Sequence, residues 1–135
     1  MISKMTHVSL YVLNQESAYE FYTKKLGFKV ITDAPMDKDN RWLTVCPPEQ
    51  KDFEIILSLI SERMYSKETV QVLRDLVAKG TFGAAVFTCN DIFATYEELK
   101  AKGVEFTKAP KKEFYGTEAI FKDDSGNWFS LAQLV

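Results

Sequence analysis

Polar and apolar residues alternate from residue 5 to residue 12, which predicts a strand with His7, Ser9 and Tyr11 on one face and Val8, Leu10 and Val12 on the other. The pattern then changes period. Asn14 stands where an N-cap belongs, and Ala18, Phe21, Tyr22 and Leu26 follow at the spacing of a core-facing helical stripe, closed by Gly27. A short strand is expected at 28–31, a polar turn at 37–40, and a strand at 41–46 that Pro47 and Pro48 stop. The most apolar strand of this half is expected at 53–60.

The same order returns after a connecting helix. Residues 67–79 place Val70, Leu73, Leu76 and Val77 on one stripe and end at Gly80. A strand at 82–89, Asp91 at a cap, a helix at 92–102, Gly103 and a strand at 104–107 follow. A loop containing Pro110 and Gly116, a strand at 117–122, a turn at 123–127 and a strand at 128–134 close the chain. The two halves are offset by about 77 residues, and a unit too small to bury its own apolar face must pack against another. The expected architecture is α+β: two βαβββ modules, 4–61 and 81–135, joined by a helix within 63–80, forming one domain. The repeat breaks at one informative place. His7 is the only histidine, and the matching position is Ala84.

Composition narrows the classes. The 135 residues are enough for a core without metal or disulfides, and 17 basic against 19 acidic residues give a net charge of -2. Nucleic acid is not an expected partner, because the only basic cluster, 108–112, reads as a solvated loop beside Pro110 and Glu113. No stretch approaches a membrane span or a signal-peptide core, so a cytoplasmic location is expected. Cys46 and Cys89 lack Cys-x-x-Cys spacing; a single disulfide and two free thiols both stay open, and the low cysteine count favours thiols.

His7-Val-Ser-Leu-Tyr-Val, Phe21-Tyr22, Leu26-Gly27-Phe28, Asn90-Asp-Ile, Leu99, Lys102-Gly103-Val104 and Asp123-Asp-Ser-Gly-Asn127 occur in an order that resembles the vicinal oxygen chelate superfamily. That group includes glyoxalase I, bleomycin-resistance proteins, fosfomycin-resistance enzymes and extradiol dioxygenases. The resemblance spans the chain and implies βαβββ modules pairing into a half-open barrel around a small-molecule cavity, commonly in a homodimer. In the metalloenzymes of the group, four ligands lie on the first and last strands of each module. Here those places fall on His7, on Ile56 or Ser58, on Ala84 and on Ser130.

One imidazole with serine, alanine and an aliphatic residue is a poor divalent-metal site, since such sites take three or four N/O donors. The expectation is therefore no cofactor. The alternative is a divalent metal held by His7, Glu54 and Glu118, with Glu54 sharing a strand face with Ile56 and Ser58. Against that, Glu54 and Glu118 read as solvated, or as paired with Arg41 or Lys122. His7 itself reads either as a general base or ligand contact, or as a residue held by a hydrogen bond without further role. Aromatic residues cluster beside turns, at Trp42, Phe53, Phe114, Tyr115 and Trp128, and suit an apolar pocket with a few polar groups.

The expected site is accordingly His7, Trp42, Glu54, Ser58, Tyr115, Glu118 and Ser130, with His7 and Glu118 as candidates for any catalytic role. The favoured function is metal-free binding of a small organic molecule, of the drug-sequestering type. A metal-dependent lyase, isomerase or dioxygenase is the alternative, and a ligand-free structural dimer is the third class.

Overall fold

Asn14 and Asp91 follow the first strand of each repeat and cap the helix that comes next. Asn14 Oδ1 accepts from the Ser17 amide at 2.8 Å, and Asp91 Oδ1 from the Ala94 amide at 3.1 Å, so each supplies a partner to a helix donor that has none within the helix. The computed structural model describes all 135 residues and divides into two compact units, Met1–Asp75 and Leu76–Val135.

The first unit runs β1 (His7–Val12), α1 (Gln15–Glu20), β2 (Lys29–Asp37), β3 (Asn40–Cys46) and β4 (Glu54–Leu59). Its sheet has the order β1-β4-β3-β2, with β1 parallel to β4 and the other pairs antiparallel. After α1 the chain makes one π-helical turn, Phe21–Lys25, and the Leu26 amide reaches back to the Phe21 carbonyl at 3.2 Å. Gly27, at φ 72°, then turns the chain into β2. Ala18, Phe21 and Tyr22 are buried along with Val12, Leu43, Val45, Ile55 and Leu57.

The second unit holds β5 (Gly83–Thr88), α3 (Ile92–Ala101), β6 (Glu105–Glu113), β7 (Gly116–Lys122) and β8 (Trp128–Leu134), in the order β5-β8-β7-β6. Helix α2 (Lys67–Ala78) contains the division between the units. The core here is aromatic. Phe87, Phe106, Phe121 and Phe129 have ring centroids 4.9 to 6.3 Å apart, and Tyr96 of α3 meets Phe106 edge-on at 4.6 Å.

Two expectations need correction. The strand expected to end at residue 31 runs on to Asp37, and the lysine-rich run 108–112, expected as a loop, is the second half of β6. Both extensions carry a proline, Pro35 and Pro110. Both strands are sheet edges, where a missing donor costs no ladder hydrogen bond, and both show register shifts. The turn at 123–127 is organised by buried Asp123, whose Oδ1 accepts from the amides of Ser125, Gly126 and Asn127, each at 2.9 Å.

Candidate functional site

Alternation along β1 and β4, joined in register, puts His7 beside Glu54, Ser9 beside Ile56 and Tyr11 beside Ser58 on one face of the first sheet. Thr44 of β3 is opposite Ile56 on that same face, and Trp42 lies two residues further along. The opposite face is the apolar one that packs under α1. This polar face stays accessible, with Trp42 37% exposed and the His7 side chain 36% exposed.

A chain of hydrogen bonds crosses the face. Glu54 Oε2 lies 3.1 Å from His7 Nε2, and its Oε1 accepts from Thr44 Oγ1 at 2.7 Å. Thr44 is fully buried, and its hydroxyl oxygen accepts from the Thr32 amide at 3.1 Å. Thr6 Oγ1 meets His7 Nδ1 at 2.8 Å, so both ring nitrogens have partners. Of the two tautomers of the neutral ring, a carboxylate at Nε2 selects the one with its proton there, which leaves Nδ1 as the acceptor toward Thr6 or toward a ligand that displaces it. Trp42 flanks the imidazole at 6.3 Å, tilted by 47°. Further along the face, Tyr11 and Tyr65 join through their hydroxyl oxygens, and this bond, with burial, pushes the Tyr11 phenol up to about 12. Tyr11 therefore stays protonated at neutral pH.

In the second unit, Glu118 and Ser130 share the face that carries Ala132 and Ile120. Lys108 Nζ contacts Glu118 Oε1 at 2.7 Å and Glu113 Oε1 at 3.0 Å, while the Ser130 hydroxyl donates to Glu118 Oε2. The Lys108 ammonium, with the Ser130 and Tyr115 hydroxyls, holds the Glu118 carboxyl below the usual carboxylate range; the same carboxylate raises the Tyr115 phenol. Both Glu118 oxygens are thus occupied by donors from its own unit.

Neither suggested ion pair forms as expected. Arg41 pairs with Asp33 and Glu16, Glu54 bonds His7 and Thr44, and Glu118 takes Lys108 rather than Lys122. Thr44 and Lys108 were not among the expected site residues. Strand alternation from Trp42 points to Thr44, whereas Lys108 is hidden in a run of similar lysines whose strand register is shifted.

The metal set implied by the resemblance can be tested against these donors. His7 and Glu54 supply two adjacent groups, and neither unit gathers three or more His, Cys, Asp or Glu side chains able to hold an ion. Ala84 supplies no donor, and Ser130 is committed to Glu118. Neither unit by itself supplies the three or four ligands of such a centre.

The sequence matches the Glyoxalase/Bleomycin resistance protein/Dioxygenase superfamily over residues 4–131. The chain belongs to that superfamily. YetH of Bacillus subtilis (strain 168) is 35% identical, across 98% of this chain and 100% of that protein. The crystal structure of UcmS2 is 45% identical over 98% of both chains, with a TM-score of 0.91. TnmS3, an antibiotic binding protein from Streptomyces sp. CB03234, is 28% identical, covers 99% of this chain and 98% of its own, and has a TM-score of 0.77. This superfamily member thus keeps the fold throughout, while its polar face differs between the two repeats. No helix is long and apolar enough to cross a membrane.

Proposed function

We propose that this superfamily member is a small-molecule binding protein that works without a metal, sequestering an organic ligand on the His7–Glu54–Trp42 face. The observation that carries the reading is that face itself: an accessible indole beside an imidazole whose partners fix it as a hydrogen-bonding group. An apolar wall with a few fixed polar groups is the usual make-up of a small-molecule site. The likeness to TnmS3 supports the same class of ligand, since that protein binds an antibiotic.

The active form we propose is a homodimer. β1 and β5 are sheet edges, and Val8 and Val86 on them are 44% and 64% exposed, an unpaired edge of the kind a second copy can cover. Light scattering should report twice the 15.5 kDa chain mass.

The test of the binding reading is a thermal-shift and tryptophan-fluorescence screen with planar aromatic compounds, antibiotics included, beside a screen with divalent metals. A ligand that binds only the folded protein raises its melting temperature by mass action. Binders should shift the wild type and shift Trp42→Ala less. Elemental analysis of the wild type beside His7→Ala completes the test. About one equivalent of metal in the first and none in the second would overturn the metal-free reading.

A further inference from the structure

The hydrogen bonds behind His7 start at an irregularity of the first sheet. β2 shifts register against β3 between Val30 and Thr32, the kind of place where a strand re-aims its groups. The Thr32 amide is directed there at Thr44 Oγ1, 3.1 Å away. Thr44 is fully buried, so its hydroxyl proton has no water to turn to. With its oxygen accepting from Thr32, the hydroxyl gives that proton to Glu54 Oε1 at 2.7 Å. The other carboxylate oxygen is then the one that faces His7 Nε2, at 3.1 Å. A backbone amide thus sets, through one buried hydroxyl, which way the carboxylate is held.

An ionised carboxylate only accepts, so each link of this chain has one direction. In the neutral ring the proton sits on Nε2 and Nδ1 keeps a lone pair. Thr6 Oγ1, 2.8 Å from Nδ1, is then the donor in that contact. Thr6 is exposed, and water serves its hydroxyl about as well as the imidazole does, so a ligand donor can take its place at little cost. The indole of Trp42, 37% exposed and 6.3 Å from the imidazole, supplies an aromatic wall beside the acceptor.

These directions select among ligands. A hydroxyl or N–H group can replace Thr6 at Nδ1, whereas a carbonyl, ether or carboxylate oxygen would meet a lone pair there. The Glu54 charge behind the ring further disfavours an anion. We infer that Thr44 is a positioning residue that fixes His7 Nδ1 as an acceptor, and that the ligand is a neutral aromatic molecule recognised through a hydroxyl or N–H donor. This rests on the small-molecule reading above and names its ligand class.

Two measurements on the full chain test this, both at pH about 8.5, above the ordinary imidazole value of about 6.5. His7 is the only histidine, so nitrogen NMR of labelled protein reads its ring without assignment. The wild type should carry the proton on Nε2; a proton on Nδ1, or on both nitrogens, would overturn the inference whatever binds. Glu54→Gln should move the proton to Nδ1, because the Thr44 hydroxyl still claims the side-chain carbonyl and turns the new amide N–H toward Nε2. Thr44→Val should mix the two tautomers and Thr44→Ser should keep the wild-type one, shifts that a merely structural threonine would not cause. If Glu54→Gln and Thr44→Val both leave the proton on Nε2, the positioning role is overturned. Calorimetric titration with 2-naphthol and with 2-methoxynaphthalene, which lacks the donor, reads the ligand class. The wild type should prefer naphthol by about three- to tenfold, the worth of one hydrogen bond, and Glu54→Gln should lose that preference. Thr6→Ala should bind naphthol at least as tightly as the wild type; weaker binding would place the contact on Thr6 and overturn the inference. Equal binding of the two compounds, or binding of neither while other aromatics of the screen bind, would overturn the ligand class and spare the small-molecule reading. If no aromatic compound binds the wild type, that reading and the ligand class fall together.

Discussion

The two units share a topology and differ in how their sheets are completed. In the second, β7 and β8 pair residue by residue from Gly116–Leu134 to Lys122–Trp128. In the first, the corresponding strands β3 and β4 pair only at Thr44–Ile56 and Val45–Ile55. Gln15, 6% exposed, fills the rest of that ladder: its Nε2 donates to the carbonyls of Arg41 and Leu57 at 2.8 and 2.9 Å, and its Oε1 accepts from the Arg41 amide at 3.0 Å. The position matching Gln15 in the second unit is Ile92, which is fully buried; there the glutamine is on the strand, with Gln133 Oε1 accepting from the Ile92 amide. A closed ladder and a phenylalanine core make the second unit the better self-satisfied one. The first relies on one side-chain amide to satisfy strand groups and leaves a polar face accessible.

The largest expected effect breaks the aromatic core. Phe129→Ala should cost about 3–5 kcal/mol, because the cavity opens among rings that cannot all shift to fill it. Leu57→Ala, the counterpart in the aliphatic core of the first unit, should cost about 2–5 kcal/mol. Denaturant unfolding gives both values. Trp42 and Trp128 fall in different units, so Trp42→Phe and Trp128→Phe backgrounds report each unit separately.

Next comes the inserted amide. Gln15→Ala should cost about 2–3 kcal/mol, since it strands the Arg41 amide and two carbonyls in a buried setting. Gln133→Ala should cost less, about 1 kcal/mol, because it removes the partner of one helix-start donor rather than of three strand groups. Equal losses at the two positions would remove the contrast between the ladders.

The repeat, its caps and its α+β class were legible because they rest on local signals: strand alternation, the Asn14 and Asp91 caps, and Gly27 and Gly103 after the helices. The outer strands were not. Pro35 and Pro110 argue against a strand in any local reading, and only the sheet order shows that these strands are edges where proline is tolerated. At the site, Glu54 could be placed beside Ser58 by alternation, but its bond to His7 depends on parallel pairing between strands more than forty residues apart. Lys108 as the partner of Glu118 depends on a shifted register that no spacing rule supplies.

The charged face of the second unit can be tested by pH. Lys108 lowers the folded-state pKa of Glu118 below that of the unfolded chain, so the contribution is present above the ordinary glutamate value of about 4.3. It is lost as pH falls through the lower folded value. Glu118→Gln should therefore cost about 1 kcal/mol at pH near 7 and flatten the acid limb of the stability profile. A mutant whose stability falls in acid as steeply as the wild type would show that other carboxylates set that limb.

The smallest effect is expected where the candidate site lies. His7→Ala and Glu54→Gln should each cost under about 1 kcal/mol, since side chains 36% and 24% exposed exchange a hydrogen bond to water for one to each other at little net gain. The double mutant should lose less than the sum of the two, because both singles remove the same contact. Set beside the Gln15 result, this separates two kinds of polar group in one sheet: one that the fold needs and one that it merely presents. A loss above about 2 kcal/mol for His7→Ala, of the size expected for a buried bond left unmade, would move the imidazole into the first kind. It would also remove the reason for reading the accessible face as a binding surface, since a histidine needed for the fold requires no ligand to account for it.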